Sequence, residues 1–451
     1  MYTPHTQAEI QAMLDAIGAP SLEALSSLPH GLEIKERLGL PGALAEADAY
    51  AHIKSLADSD NAARLTSFLG AGAYRHYQPP AVPWFATRSE FLTAYTPYQA
   101  EASQGSLQAI FEWQTYICLL TGMDVSNASL YDGATALVEG VIMSLHAKGR
   151  HRVIISRGVH PLYRSVLQTY AAGMGIEVIE LPLTADGLTD FSALGSNVGQ
   201  VDCVAVQSPN FLGNIEDIKQ AASLARAADG LTISVTAEAL SLAVLKTPRE
   251  LGADIALGEA QSFGLPVGYG GPYVGFIAST SEHVRRLPGR LVGETTDVDG
   301  RRAFVLTLQG REQHIRRELA TSNICTNQAL CALIATVYLA TVGSRGLRAI
   351  ATANMSCARE LARAVGEIPG FSLAYQAPFF NEFCIRTPGP AEALAQRLLG
   401  RGILGGLPLS RFYPELTDML LLCATELTTP DDIRLLVREL SKERARAAAA
   451  V

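Results

Sequence analysis

The sequence predicts an α/β protein with a mainly parallel sheet, a helical N-terminal arm and a smaller C-terminal α+β part. Three observations carry that expectation. Short apolar runs alternate with helical stretches from about residue 100 to 280; residues 1–65 show helical patterning without strand-like runs; and beyond about 330 a long helix precedes three short strand-like segments. The implied domains are 1–65, 66–330 and 331–451, and 451 residues are enough to build several cores.

The arm opens on Thr6-Gln-Ala-Glu9, a capping-box pattern, followed by Ile10, Met13, Leu14 and Ile17 at helical spacing. Residues 70–97 read as irregular structure, with Pro79-Pro80, Pro83 and Pro97 as turn signals. In the sheet region the β-type runs are 153–156, 178–181, 203–207 and 231–235, with helical stretches near 160–173 and 215–227. Such βαβ crossovers are right-handed and place helices on both faces of the sheet. Residues 272–278 read as a further strand. The apolar stretch 329–343 is too short to span a bilayer comfortably and reads as a buried helix. After a break at Gly343-Ser-Arg-Gly346 another helix begins near Leu347, then strands at 371–375, 380–386 and 419–424. Thr429, Pro430, Asp431 and Asp432 form a helix start with an N-cap, a proline at the first position and acidic residues facing the dipole.

A net charge of −8 leaves no positive field for nucleic acid. The first twenty residues hold no apolar block and no Lys or Arg, so no secretory signal is expected. The seven cysteines are scattered without a CxxC pair, which fits free thiols in a cytoplasmic protein and argues against zinc or disulfides. Only six of the 36 basic residues are lysines, and none lies between Lys246 and Lys442.

Two segments could carry chemistry. Asp132, Gly133, Ala134 and Thr135 start a helix whose small residues would let backbone N–H groups approach an anion; a plain tight loop with an N-cap reads equally well. Residues 252–272 run from a short strand through a polar turn into a glycine-rich loop. There the chain resembles the fold-type I enzymes that use pyridoxal 5'-phosphate (PLP), the aminotransferase-like fold with a mainly parallel sheet of seven-stranded type. The pattern Gln-Ser-Phe-x-x-Pro-x-Gly-x-Gly-Gly-Pro places Gln261 at the position of the Schiff-base lysine. A glutamine amide cannot form the imine. The carboxylate expected at the pyridine nitrogen is also missing, since Thr236-Ala-Glu238 stands there with Glu238 as a displaced substitute. Lys246, the only other lysine nearby, reads as part of a surface turn, with an unorthodox Schiff base as the alternative.

Further strings extend the resemblance to the glycine decarboxylase P-protein of the glycine cleavage system, in its split form with a separate subunit 1. They include Phe68-Leu-Gly-Ala-Gly-Ala-Tyr-Arg-His-Tyr77, Tyr95-Thr-Pro-Tyr-Gln-Ala-Glu101 and Thr321-Ser-Asn-Ile-Cys-Thr-Asn-Gln328, with others at 104–115, 126–135 and 289–294. The resemblance implies a lysine-bearing second subunit that holds PLP covalently, while this chain holds none. It implies a heterodimer or α2β2 heterotetramer, glycine as substrate, a lipoylated H-protein as acceptor, and no membrane partner. It also implies that this chain completes a site on its partner. The lining candidates are Tyr95, Thr96, Tyr98 and Gln99, with Ser322, Asn323 and Thr326 as uncharged donors to the cofactor phosphate. Ordinary helix capping and aromatic packing are the other readings of these residues. Eight arginines between 285 and 317 form either a mixed solvated face or a surface that contacts the partner subunit or the acidic carrier. Two rival functions remain: a scaffold that never touches the partner's site, and a stand-alone PLP enzyme using Lys246.

Overall fold

Continuous apolar runs such as Cys203–Gln207 can be buried only if both sheet faces are covered, and the computed structural model shows that arrangement. It describes residues 4–26, 32, 38–93, 95–194, 199–324 and 326–449, with backbone alone at 194 and 444–449. Two compact units are present, Met1–Ala63 and Arg64–Val451.

In the first unit α1 (Gln7–Ile17) carries the expected capping box. The Glu9 N–H donates to Thr6 Oγ1 at 3.4 Å, and the Thr6 N–H donates to Glu9 Oε2 at 2.6 Å. Gly18 closes the helix in the left-handed region at φ 71°. A second helix, α2, spans Glu46–Ser59.

The larger unit is built on a seven-stranded sheet. Its strands in chain order are β1 (Val125–Ser126), β2 (Arg152–Ser156), β3 (Glu177–Leu181), β4 (Cys203–Gln207), β5 (Leu231–Thr236), β6 (Ile255–Glu259) and β7 (Gly275–Ser279). Across the sheet the order is β1-β7-β6-β5-β4-β2-β3, with every pairing parallel except the two made by β7. Alternate side chains define two cores. Ile154, Val204, Val206 and Ala256 face α3 (Gln104–Thr121), which brings Trp113 and Ile117. On the other face Val153, Ile155, Ala205, Ile233 and Leu257 meet α4 (Gly133–Lys148) and α5 (Pro161–Met174). A further crossover helix, α6 (Ile218–Ala227), lies on the first face through Ala221 and Ala225.

The stretch expected to be irregular contains two short helices, Ala81–Ala86 and Ser89–Leu92. Pro83 fits there because it falls within a first helical turn, where its missing N–H has no partner to lose. The arginine-rich region forms an antiparallel hairpin, β8 (Val292–Thr296) with β9 (Arg302–Leu306), which its charge pattern did not reveal. Helix α7 (Ala329–Gly366) is non-helical at Gly343 (φ 62°, ψ 178°), where the sequence predicts the break. It is long and apolar enough to cross a membrane by composition, but Cys331, Ala335, Tyr338 and Leu339 of its first half belong to the sheet core. Its second half packs with α8 (Ala391–Leu399) and α9 (Pro430–Ala449) on an antiparallel sheet. That sheet is formed by β10 (Ser372–Leu373), β11 (Glu382–Arg386), β12 (Leu407–Pro408) and β13 (Met419–Cys423), in the order β10-β11-β13-β12.

The close approach of β5 to β6 gives a direct test. A Cβ on Gly258 would lie 1.9 Å from the Thr236 carbonyl oxygen of the paired strand. Gly258→Ala is expected to destabilise the chain by about 3 kcal/mol in denaturant unfolding. Gly42→Ala, with open space around it, should change stability by no more than about 0.5 kcal/mol.

Candidate functional site

Open α/β sheets hold ligands beyond the carboxyl ends of their parallel strands. In this chain β2, β4, β5 and β6 end on polar residues that are nearly all buried: His160, Gln207, Glu238, Glu259 and Gln261. Gln261 is 1% exposed. Its Oε1 accepts the Tyr74 N–H at 2.9 Å, while its Nε2 donates to the Tyr74 carbonyl at 3.0 Å and to the Leu265 carbonyl at 2.7 Å. One side-chain amide therefore satisfies both backbone groups of Tyr74, as a neighbouring strand would.

Two residues earlier, Glu259 is held by three backbone donors. Its Oε1 accepts from the N–H groups of Gln261 (3.1 Å) and Val274 (3.0 Å), and its Oε2 accepts the Gly133 N–H at 3.0 Å. Burial pushes this carboxyl up to about 8, against the pull of those N–H groups. Gly133 opens α4; Asp132 caps that helix by accepting the Thr135 N–H at 2.7 Å, and the Thr135 hydroxyl accepts the Asp132 N–H in return. Ala134 follows as a buried residue of the first turn.

The segment 68–77 covers these groups. Ala71 donates its N–H to Glu382 Oε1 at 2.6 Å, and the Tyr74 hydroxyl donates to Glu382 Oε2 at 2.8 Å. Burial raises the Glu382 carboxyl to about 7. The His160 ring stacks on Tyr163 at 4.6 Å, and its Nε2 lies 3.0 Å from the Ala71 carbonyl. Burial, together with nearby Arg164, lowers the His160 pKa to about 4. His76 sits between two carboxylates, with Nε2 3.1 Å from Glu238 and Nδ1 2.8 Å from Glu426. Burial alone would lower its pKa, but the two carboxylates raise it to about 9.

PLP does not fit these residues. No amine is present at 261, and the helix-start N–H that would face a phosphate already serves Glu259. Glu238, the displaced candidate for the pyridine nitrogen, is taken by His76 and by the Asn381 amide at 3.2 Å. Lys246 is exposed and borders a different cavity of about 250 Å³, lined also by Ser208, Glu216, Ser234 and Thr236. Among the described residues no group of three or more His, Cys, Asp or Glu could hold a metal ion.

A second constellation faces outward. Tyr95, Thr96 and Thr326 line one cavity of about 290 Å³ with Phe91, Trp113 and Asn327. Tyr95 and Tyr98 are about 70% exposed, with ring centroids 6.5 Å apart. Gln99 and Asn323 are exposed, whereas Ser322 is half-buried and its hydroxyl accepts the Ile324 N–H at 3.1 Å. No side chain caps α7, so the capping reading of the 321–328 turn does not describe it. Cys325 lies outside the described residues.

Arg290, read from the sequence as part of either a solvated face or a docking surface, is neither. It is 5% exposed, donates to the Thr96 hydroxyl, lies 6.0 Å over the Tyr98 ring, and has its Nε 3.8 Å from buried Glu312. Arg302 does lie in solvent, paired with Glu294 across the β8–β9 hairpin.

Residues 1–440 match the family described as glycine cleavage system P-protein. The chain is 50% identical over 438 residues to the probable glycine dehydrogenase (decarboxylating) subunit 1 of Moorella thermoacetica, covering 97% of this chain and 98% of the relative. Its counterpart in Anaeromyxobacter dehalogenans is 49% identical, with 96% and 98% covered. A crystal structure of glycine decarboxylase (P-protein) of the glycine cleavage system, in inhibitor-bound form, superposes with a TM-score of 0.89 at 46% identity. It covers 98% of this chain and 99% of that one. Glutamate decarboxylase of Lactobacillus brevis shares the fold alone, at 15% identity and a TM-score of 0.66.

The His76 bridge predicts a pH dependence. Its folded pKa lies above the unfolded value of 6.5, so its stabilisation is complete below pH 6.5 and is lost as pH rises through about 9. The raised Glu259 acts in the same direction, losing its contribution between about pH 4.5 and 8. Denaturant unfolding across pH 6–9.5 should show a decline, of which His76→Gln removes on the order of 2–3 kcal/mol. An unchanged slope in the variant would refute the bridge.

Proposed function

This chain belongs to the glycine cleavage system P-protein family, and on that premise we propose that it is subunit 1, the one without the Schiff-base lysine, of a two-chain glycine dehydrogenase (decarboxylating). The enzyme removes CO₂ from glycine and passes the aminomethyl group to the lipoyl group of H-protein. The observation that carries this reading is the contrast between two places in one chain. The strand-end crevice has no amine and is closed by its own residues, whereas hydroxyl and aromatic groups gather at a separate cavity.

In this reading the second subunit holds PLP through its own lysine, and the cofactor supplies the electron sink there. The contribution of this chain is positional. Tyr95, Thr96, Tyr98 and Gln99 wall the partner's site and keep water from it. Ser322, Asn323 and Thr326 offer uncharged donors to a phosphate dianion. Arg290 holds the wall in place from below, its own charge compensated by Glu312. An α2β2 assembly in the cytoplasm fits this role, as does a division into 1–65, 66–330 and 331–451.

Four measurements test the reading. Glycine-dependent CO₂ exchange should be absent from each subunit alone and present in the co-expressed pair; exchange by this chain unaided would refute it. The triple substitution of Ser322, Asn323 and Thr326 to Ala should leave assembly intact and lower kcat at least about tenfold. An unchanged kcat would instead favour a scaffold that never reaches the partner's cofactor. Arg290→Ala should lower kcat by about tenfold, ~1.4 kcal/mol, by freeing the 95–99 wall. Arg302→Glu, at an exposed ion pair, should shift stability by less than about 1 kcal/mol and leave KM for H-protein unchanged.

A further inference from the structure

We infer that the strand-end crevice has been converted into an internal joint, with the Glu259 carboxyl standing where this fold holds a cofactor phosphate and the Gln261 amide standing where it holds the imine-forming amine. The inference concerns this chain's own crevice and does not depend on which residues line the partner's site.

The start of a helix attracts an anion because its first N–H groups have no partners within the helix. At α4 two of those groups are already used. The Gly133 N–H donates to Glu259 Oε2 and the Thr135 N–H to Asp132 Oδ1. Space is used up as well, since a Cβ on Gly133 would lie 2.4 Å from the Tyr163 hydroxyl. On the opposite wall the backbone at Gly72 (φ 100°) presses on His160, with a Cβ position only 2.7 Å from its Nε2. Between these walls Gln261 clamps Tyr74, whose hydroxyl is bound in turn by Glu382. Neither cavity described above is lined by Glu259, Gln261, Gly133 or His160.

The two substituted groups work as a pair. Glu259 Oε1 accepts the Gln261 N–H, so the residue that fills the phosphate position also orients the residue that fills the lysine position. A lysine restored at 261 would lack an acceptor for the Tyr74 N–H and would bring an ammonium into a place 1% exposed. Single reversion therefore cannot rebuild the cofactor site.

Three readouts on the full chain test the joint. Gln261→Lys, incubated with PLP and reduced with borohydride, should carry no pyridoxyl adduct at residue 261 by peptide mapping; an adduct there would overturn the inference. Glu259→Ala should lose thermal stability and regain part of it as acetate is added, while the unsubstituted chain does not respond. Absence of rescue in the folded variant would also overturn it. Should that variant fail to fold, hydrogen exchange of the unsubstituted chain gives the answer. The Ala71 and Tyr74 amides should exchange as slowly as those of β5 and β6, and rapid exchange would mean that the crevice opens.

Discussion

A primary amide both accepts and donates hydrogen bonds, and an ammonium only donates. On that difference rests the architecture of the strand ends in this chain. Gln261 meets the N–H and the C=O of Tyr74 at once, which fixes the segment 68–77 across the carboxyl ends of the sheet. Once that segment is fixed, Ala71 and the Tyr74 hydroxyl reach Glu382 on the C-terminal sheet, and His76 reaches Glu238 and Glu426. The covering segment thus ties the parallel sheet to the smaller antiparallel one.

The buried carboxyl groups are the cost of this arrangement. Glu238, Glu259 and Glu382 lie within the crevice, and an isolated buried carboxylate is strongly unfavourable. Each is accounted for differently. Glu259 is surrounded by backbone donors, Glu382 has one backbone and one phenolic donor, and Glu238 has His76. Of the three it is the histidine bridge that supplies a counter-charge, which is why His76 is held protonated well above its usual range. A segment held by so many partners is poorly suited to move aside for a ligand.

The outward cavity has the opposite character. Its wall is largely apolar, with Thr96, Thr326 and Asn327 as polar groups, and Thr96 is held by Arg290, whose buried partner Glu312 lies 3.8 Å away and is short of donors. A partly exposed, largely apolar cavity of this kind suits completion by another chain. A single fold can hold both features because the crevice lies at the strand ends, whereas the 95–99 and 321–328 segments lie off the sheet beside α3 and α7.

Several features were legible in the sequence because each depends on neighbours along the chain. The capping box at Thr6, the runs that became β2 to β5, the break at Gly343 and the cap at Thr429 all follow from local spacing. The absence of lysine at 261 was equally plain, and with it the loss of imine chemistry at that position. What the chain does with the vacated positions was not legible. Tyr74 and Gln261 are 187 residues apart, and Gly133 and Glu259 are 126 apart. Arg290 looked like one of eight arginines on a solvated or docking face, whereas the fold buries it beside Thr96. Local pattern sets which groups a segment offers; only tertiary packing decides which distant backbone N–H each buried carboxyl or amide will meet, because burial removes water as the alternative partner.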